Sequence, residues 1–115
     1  MTPPDLISII VPVYNEVRTV RAVINRLLAI SLPAPREILV VDDGSTDGTR
    51  DELAAVVRQG LAVTVLLAER NGGKGSAIRR GLAAATGTII AIQDADLELD
   101  PQQIAALVQP IFQPI

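Results

Sequence analysis

A regular alternation of two hydrophobic patterns constrains the fold of this chain more than any other feature of its sequence. Short apolar runs, of which the first two are typical of strands buried in a sheet, alternate with segments whose apolar residues recur at helical spacing. The runs lie at 6–13, 37–41, 62–68 and 88–93, and the helical segments at 20–28, 53–57, 76–85 and from 100 onward. The order β-α-β-α-β-α-β-α predicts an α/β fold, a Rossmann-like parallel sheet with alternating helices and right-handed crossovers.

The starts and the buried faces of the helices can be predicted in part. Both the segment 45–47 and the capping-box pair Thr49 and Glu52 precede the second helix, and which of them caps it is left open. Asp100 is predicted to cap the last helix. Three residues of the third helix are expected to face inward: Ile78, Leu82 and Ala85.

The composition limits the chemistry that is available to the chain. Its 115 residues are enough for one domain. It contains no Cys, so a thiolate metal site is excluded, and no His, the commonest metal ligand. Any metal must therefore be held by oxygen atoms, which favours Mg²⁺ or Mn²⁺. The net charge of −3 argues against nucleic-acid binding, which usually requires a basic stripe.

Neither a membrane span nor an export signal is recognisable in the sequence. No apolar run reaches the ~18 residues that are needed to span a bilayer, and the first five residues lack the basic region of a signal peptide. We therefore expect a cytoplasmic location. The apolar segment 108–115 ends without a finishing strand, so we also expect a boundary inside a larger domain.

The densest acidic cluster follows the fourth strand. In extended chain, Asp94, Asp96 and Glu98 point to one side. Two unit charges ~4 Å apart repel by roughly 4 kcal/mol at an effective dielectric of 20, and a divalent cation turns this penalty into attraction. A solvated acidic turn is equally consistent with the spacing, but the position at the end of a strand favours a metal site.

Polar residues also follow the first and second strands, and parallel sheets bind ligands at the carboxyl ends of their strands. Asp42 and Asp43 point to opposite sides, so one is available to a ligand even if the other caps a helix. Tyr14 is the only tyrosine and is placed to stack on a nucleobase; a partly buried Tyr at a strand end is the alternative.

A glycine-rich loop at 71–75 suggests phosphate binding through Lys74. It is not a P-loop, because Gly75 separates Lys74 from Ser76. A dinucleotide fingerprint is absent too, since the residues 12–16 contain no glycine after the first strand. Contact with a diphosphate and a plain surface loop at a helix start both remain open.

Four segments together resemble family 2 glycosyltransferases of the GT-A fold, especially the polyprenyl-phosphate and dolichyl-phosphate sugar transferases. They are Ile-Ile-Val-Pro-Val-Tyr-Asn-Glu at 9–16, Val-Val-Asp-Asp-Gly-Ser-Thr-Asp-Gly-Thr at 40–49, Asn-Gly-Gly-Lys-Gly-Ser-Ala at 71–77 and Asp-Ala-Asp-Leu-Glu at 94–98. Each is weak alone, but four in order over nearly the whole chain are specific. The resemblance implies that residues 1–115 are the nucleotide-sugar-binding, N-terminal half of a GT-A domain.

The resemblance implies a nucleotide-binding role for the first two segments. Pro12, Tyr14 and Glu16 would line the nucleoside pocket. Asp42 would contact the base, with help from Asp43. The donor would be a UDP- or GDP-linked sugar, and nothing in the sequence decides between them.

The resemblance also implies a metal site with a catalytic role. Asp94 and Asp96 match the family's Asp-x-Asp motif, which holds Mg²⁺ or Mn²⁺ against the donor diphosphate, and Glu98 would be a further ligand. The implied reaction is an inverting transfer in which the metal stabilises the departing nucleoside diphosphate. A polyprenyl phosphate acceptor is already an anion, so a chain without His needs no general base.

Alternatives to an active transferase remain open. The acceptor-binding half of the family is missing, so we expect little or no transfer by these 115 residues alone. A nucleotide-diphosphate-binding module or inactive fragment is the second hypothesis. A nucleotidyltransferase is disfavoured, because the residues 12–16 are neither glycine-rich nor basic. Self-association through an unfinished sheet edge is a further expectation.

Overall fold

The structure, a computed structural model, describes residues 5–96 of the chain. Its strands and helices alternate as the hydrophobic pattern predicts: β1 (Ile7–Val13), α1 (Val20–Ala29), β2 (Arg36–Asp42), α2 (Thr49–Arg58), β3 (Thr64–Leu67), α3 (Lys74–Ala84) and β4 (Ile89–Ile92). The helix predicted from 100 onward, with its cap Asp100, and the proposed ligand Glu98 lie outside the described residues.

The four strands form one parallel sheet in the order β3-β2-β1-β4. β1 lies in the middle and is buried along its whole length, as its unbroken apolar run requires. Ile10 pairs with Leu39 of β2 on one side and with Ile92 of β4 on the other. The α/β Rossmann-like architecture is confirmed, while self-association through an edge strand stays a prediction.

Helices cover both faces of the sheet. Alternate residues of β1, such as Ile9 and Val11, pack in a core cluster with Val23 of α1 and Leu53 of α2. On the opposite face, Ile10 packs in a second, smaller cluster, to which α3 contributes. The period-two alternation of β1 thus divides its apolar side chains between two helix layers.

The buried face of α3 differs from the prediction. Leu82 is 46% exposed, and Ala77 and Gly81 face the sheet instead. A Cβ at position 81 would lie 2.6 Å from Cγ2 of Ile10, so this helix approaches β1 more closely than a larger residue allows. The expectation for Leu82 was wrong, because the small residues Ala77 and Gly81, one turn apart, decide which face of α3 packs on the sheet. The expectation for Ala85 is confirmed, since it packs against the second cluster.

The start of α2 matches neither of the two caps that the sequence left open. Its N-cap is Gly48, with a φ of +102°, and the helix begins at Thr49, so the capping box of Thr49 and Glu52 does not form. Oδ1 of Asp47 accepts hydrogen bonds from the Thr49 amide, at 3.0 Å, and from its hydroxyl, at 2.5 Å. The Thr49 hydroxyl in particular holds the pKa of Asp47 below its ordinary value.

A polar cluster ties the strands together at their amino ends. The Ser8 hydroxyl donates to Oε2 of Glu37 at 2.6 Å, and the Thr86 amide donates to the same oxygen at 3.0 Å. These hydrogen bonds, that of Ser8 first, hold the pKa of Glu37 below its ordinary value. Together they connect the start of β2 to the chain that enters β4, at the end of the sheet opposite the predicted ligand site.

No helix within residues 5–96 combines the length and the apolar character needed to cross a bilayer.

Candidate functional site

A cavity of about 210 Å³ opens at the carboxyl ends of β1, β2 and β4, beside the start of α3. Most of the predicted site residues line it, together with three apolar neighbours: Pro12, Val13, Tyr14, Glu16, Asp43, Lys74, Ala77, Asp94, Ala95 and Asp96. These strands are adjacent and parallel, which is why segments that lie far apart in sequence meet here. Of the predicted residues within the described part, Asp42 alone does not line the cavity.

The chain after β4 presents two carboxylates to the cavity. The amide of Gln93 donates to the Ile10 carbonyl at 2.9 Å, which extends the pairing with β1. Ala95 is buried in the main core, and its carbonyl accepts a hydrogen bond from the Thr19 hydroxyl. On either side of buried Ala95, Asp94 and Asp96 both line the cavity.

The donor atoms at this edge fit a hard divalent cation. Asp94 and Asp96 supply carboxylate oxygens, and Asp43 and Glu16 border the same cavity. Mg²⁺ is commonly held by one or two carboxylates plus substrate phosphates and water, so two carboxylates suffice. No group of three acidic side chains that could hold a metal by itself occurs among residues 5–96.

Lys74 brings a positive charge into this acidic site. Its Nζ lies 2.5 Å from Oδ1 of Asp94, so the first residue of α3 is ion-paired with a proposed metal ligand. The Lys74 side chain is 59% exposed and that of Asp94 is 28% exposed. The ammonium therefore lies at the mouth of the cavity, where an anionic ligand would enter.

Asp43 anchors the glycine-rich loop to the sheet. Its Oδ1 accepts from the Gly72 amide at 3.0 Å, and its Oδ2 accepts from the Gly73 amide at 2.8 Å. Gly73 precedes Lys74 directly, so these bonds place Lys74 beside the cavity. Asp43 thus has a structural role here in addition to its position in the cavity wall.

Asp42 lies beneath the loop that follows β2 and is fully buried. Its Oδ2 accepts from the Arg50 guanidinium at 2.7 Å and from the Ser45 amide at 3.2 Å. Arg50 also donates to the Ala68 carbonyl, which connects β2, α2 and the end of β3. Oδ1 of Asp42 has no hydrogen-bond partner among the described residues, an uncommon and costly state for a buried carboxylate oxygen.

Asn15 connects the loop after β1 to the loop after β2. The sequence alone did not predict this role. Its φ of +52° is in the left-handed region that Asn tolerates better than most residues. Its amide donates to the Ser45 hydroxyl at 2.9 Å, and its Oδ1 accepts from the Thr46 amide at 2.8 Å. The only sequence signal is an Asn between two pocket residues, Tyr14 and Glu16.

Replacing Asn15 by Gly should loosen this connection without straining the backbone. Gly adopts a positive φ freely but cannot accept from the Thr46 amide. One lost hydrogen bond costs about 1 kcal/mol, which lowers the melting temperature by about 4–8 °C in a domain of this size. Thermal melting and amide hydrogen exchange at Thr46 measure both effects.

Asn15→Asp is the matched control, because it keeps an acceptor oxygen and the tolerance for positive φ. It should preserve the slow exchange of the Thr46 amide. Unchanged protection of that amide in Asn15→Gly would contradict the proposed connection.

Comparison with known sequences agrees with the site geometry. The sequence model of the family described as Glycosyl transferase family 2 matches residues 8–114. An undecaprenyl-phosphate 4-deoxy-4-formamido-L-arabinose transferase from Serratia proteamaculans is 39% identical over 110 residues, covering 93% of this chain and 34% of the relative. A dodecaprenyl-phosphate galacturonate synthase from Rhizobium johnstonii is 37% identical over 108 residues, covering 91% of this chain and 32% of the relative.

Solved structures show the same likeness in three dimensions. A mannosyltransferase from Pyrobaculum calidifontis in complex with GDP-Man and Mn²⁺ has a TM-score of 0.78 and 31% identity, covering 98% of this chain and 34% of its own. A glucosyl-3-phosphoglycerate synthase from Mycobacterium tuberculosis in complex with Mn²⁺, UDP and glucosyl-3-phosphoglycerate has a TM-score of 0.75 and 30% identity, covering 95% and 40%.

This chain spans about a third of the length of the curated relatives it matches. Within that portion the expected fold, the N-terminal part of a GT-A glycosyltransferase, is confirmed. Because the family's sequence model covers nearly all of its residues, the chain belongs to glycosyl transferase family 2.

Proposed function

We propose that this chain is the donor-binding part of an inverting glycosyltransferase, which transfers a sugar from a nucleoside-diphosphate sugar to a polyprenyl phosphate. One observation carries the proposal: Asp94 and Asp96 face a cavity that Tyr14 and Lys74 also line. The site thus combines an aromatic ring for a base, a cation for a diphosphate and two carboxylates for a divalent metal.

The nucleoside would lie against the end of β1. Pro12 and Tyr14 offer apolar and aromatic surface, and Tyr14 is 45% exposed, so its ring is accessible to a base. Glu16 borders the same cavity. Asp42 is proposed to contact the base as well; because it is fully buried and does not line the cavity, the loop after β2 would have to shift to bring its unpartnered Oδ1 to the base. Asp43 would hold the glycine-rich loop beside the cavity.

The donor diphosphate would lie between Lys74 and the acidic pair. Asp94 and Asp96 would hold Mg²⁺ or Mn²⁺, with Glu98, outside the described residues, as a further ligand. The bound metal would supply Lewis-acid stabilisation of the departing diphosphate. The Mn²⁺ and nucleotides named for the two structural relatives support a divalent ion and a UDP or GDP donor.

The acceptor is proposed from the two curated relatives, both named for polyprenyl phosphates. An oxygen of the acceptor phosphate would attack the anomeric carbon as the bond from that carbon to the donor diphosphate breaks, which inverts the configuration. The attacking oxygen carries no proton, so the site needs no general base, and the chain contains no His. We propose that this reaction takes place at the cytoplasmic face of a membrane.

A thermal-shift panel tests the donor site directly. UDP, GDP and ADP, and the corresponding sugar nucleotides, are compared with and without Mn²⁺. A bound ligand at a hundred times its Kd stabilises the folded chain by about 2.7 kcal/mol, so the matching nucleotide with Mn²⁺ should raise the melting temperature by about 10–20 °C. EDTA should remove most of this rise. If no nucleotide stabilises the chain, or Mn²⁺ makes no difference, the donor-site assignment fails.

A further inference from the structure

We propose that the Lys74 ammonium exchanges partners. It competes with the divalent metal for Asp94, and it pairs with the donor diphosphate when the metal binds. The inference rests on the proposed function, since it deepens the role of the same site. It concerns one residue with two alternative partners, of which the structure shows the first.

The ion pair occupies an oxygen that a metal would need. Nζ of Lys74 lies 2.5 Å from Oδ1 of Asp94, and both residues line the cavity. A metal on Oδ1 of Asp94 would place a divalent cation next to the ammonium, and two adjacent cations repel. Metal binding at this oxygen therefore weakens the ion pair and favours departure of Lys74 from Asp94.

The surroundings of Lys74 allow it to move. Glycines stand on both sides of it, and a Cβ placed at Gly73 would meet nothing within 4 Å. The side chain is more than half exposed, so its flexible stem can change rotamer at low cost. Because Lys74 is the first residue of α3 and lines the cavity, its ammonium can reach a ligand bound there after it leaves Asp94.

The exchange has a thermodynamic consequence. A metal on Asp94 frees a cation that can pair with the diphosphate, so metal and nucleotide bind cooperatively. By linkage, the nucleotide strengthens metal binding by the same factor. Removing Lys74 should therefore have opposite effects on the two ligands: tighter binding of the metal alone and weaker binding of the nucleoside diphosphate.

Lys74→Gln tests this in the 115-residue chain. Mn²⁺ titration followed by electron paramagnetic resonance, without nucleotide, should show an affinity about two- to five-fold higher, as expected for the loss of an exposed competing ion pair. With saturating Mn²⁺, the affinity for UDP or GDP, whichever binds the wild type, should fall by about ten-fold, because a charge-assisted contact is lost.

Two further variants separate the contact from a general charge effect. Arg79→Gln removes a positive charge from the same helix, at an exposed residue that does not line the cavity, and should leave Mn²⁺ affinity nearly unchanged. Lys74→Arg keeps a cation within reach of Asp94 and should bind Mn²⁺ like the wild type.

The outcomes distinguish this inference from the proposed function. A wild-type chain that binds neither Mn²⁺ nor nucleotide overturns both. If the wild-type chain binds both ligands, either of two results overturns the exchange of partners alone. The first is that Lys74→Gln binds Mn²⁺ with unchanged or lower affinity, and the second is that Arg79→Gln raises the Mn²⁺ affinity as much as Lys74→Gln does.

Discussion

Asp96→Asn should abolish the metal dependence of nucleotide binding while the chain remains folded. The amide keeps the size of the side chain but loses the negative charge that a hard divalent cation requires. Replacing a residue that only supports a metal ligand typically costs 10–100-fold in affinity, so loss of a direct ligand should cost about 100-fold or more in Mn²⁺ affinity. In the thermal-shift panel, the increment due to Mn²⁺ should disappear.

The control for this variant is Asp51→Asn, which makes the same change of charge at an exposed position in the first turn of α2. It should keep the full Mn²⁺-dependent increment. Melting of both variants without ligand tests whether they are folded. If folded Asp96→Asn responds to Mn²⁺ as the wild type does, then Asp96 is not a metal ligand, and the metal site must be reassigned.

Gly44→Ala should destabilise the chain strongly and push the glycine-rich loop away from the site. Gly44 has a φ of +83°, and a Cβ there would lie 2.6 Å from the Asn71 nitrogen and 2.7 Å from the Arg70 carbonyl carbon. Backbone cannot give way as a flexible side chain can. We expect a loss of about 3 kcal/mol, from the left-handed backbone and from overpacking together. Urea denaturation measures the loss.

Gly60→Ala separates the two causes. Gly60 also has a positive φ, of +74°, but a Cβ there would meet nothing within 4 Å. That variant should lose only about 1 kcal/mol. Equal losses in the two variants would mean that the close approach of residues 70 and 71 to Gly44 contributes nothing.

Gly44→Ala should also weaken nucleotide binding. The approach of residues 70 and 71 to Gly44 is what brings the amides of Gly72 and Gly73 to Asp43. Pushing the loop outward would break these bonds and displace Lys74, which follows them. The fold and the site therefore depend on the same glycine.

The sequence alone determined the architecture and the edge of the sheet at which the site lies. Buried strands and amphipathic helices differ in hydrophobic period, so their order could be predicted for the whole described region. Parallel pairing follows from that order and places the carboxyl ends of all four strands at one edge, whereas the adjacency of β2, β1 and β4 is known only from the structure. The period of extended chain led to the expectation that Asp94 and Asp96 share one side, and both line the cavity, although residues 95 and 96 form a bend.

Only the tertiary structure decided which atoms these residues contact. Asp42 forms an ion pair with Arg50, and Asn15 forms two hydrogen bonds with the loop after β2. Both depend on how the loops fold over one another. Leu82 is exposed because the close approach at Gly81 turns α3 toward its smaller residues. Periodicity reports which side of an element is apolar, whereas contacts across 8 to 31 residues of sequence depend on distances that exist only after packing.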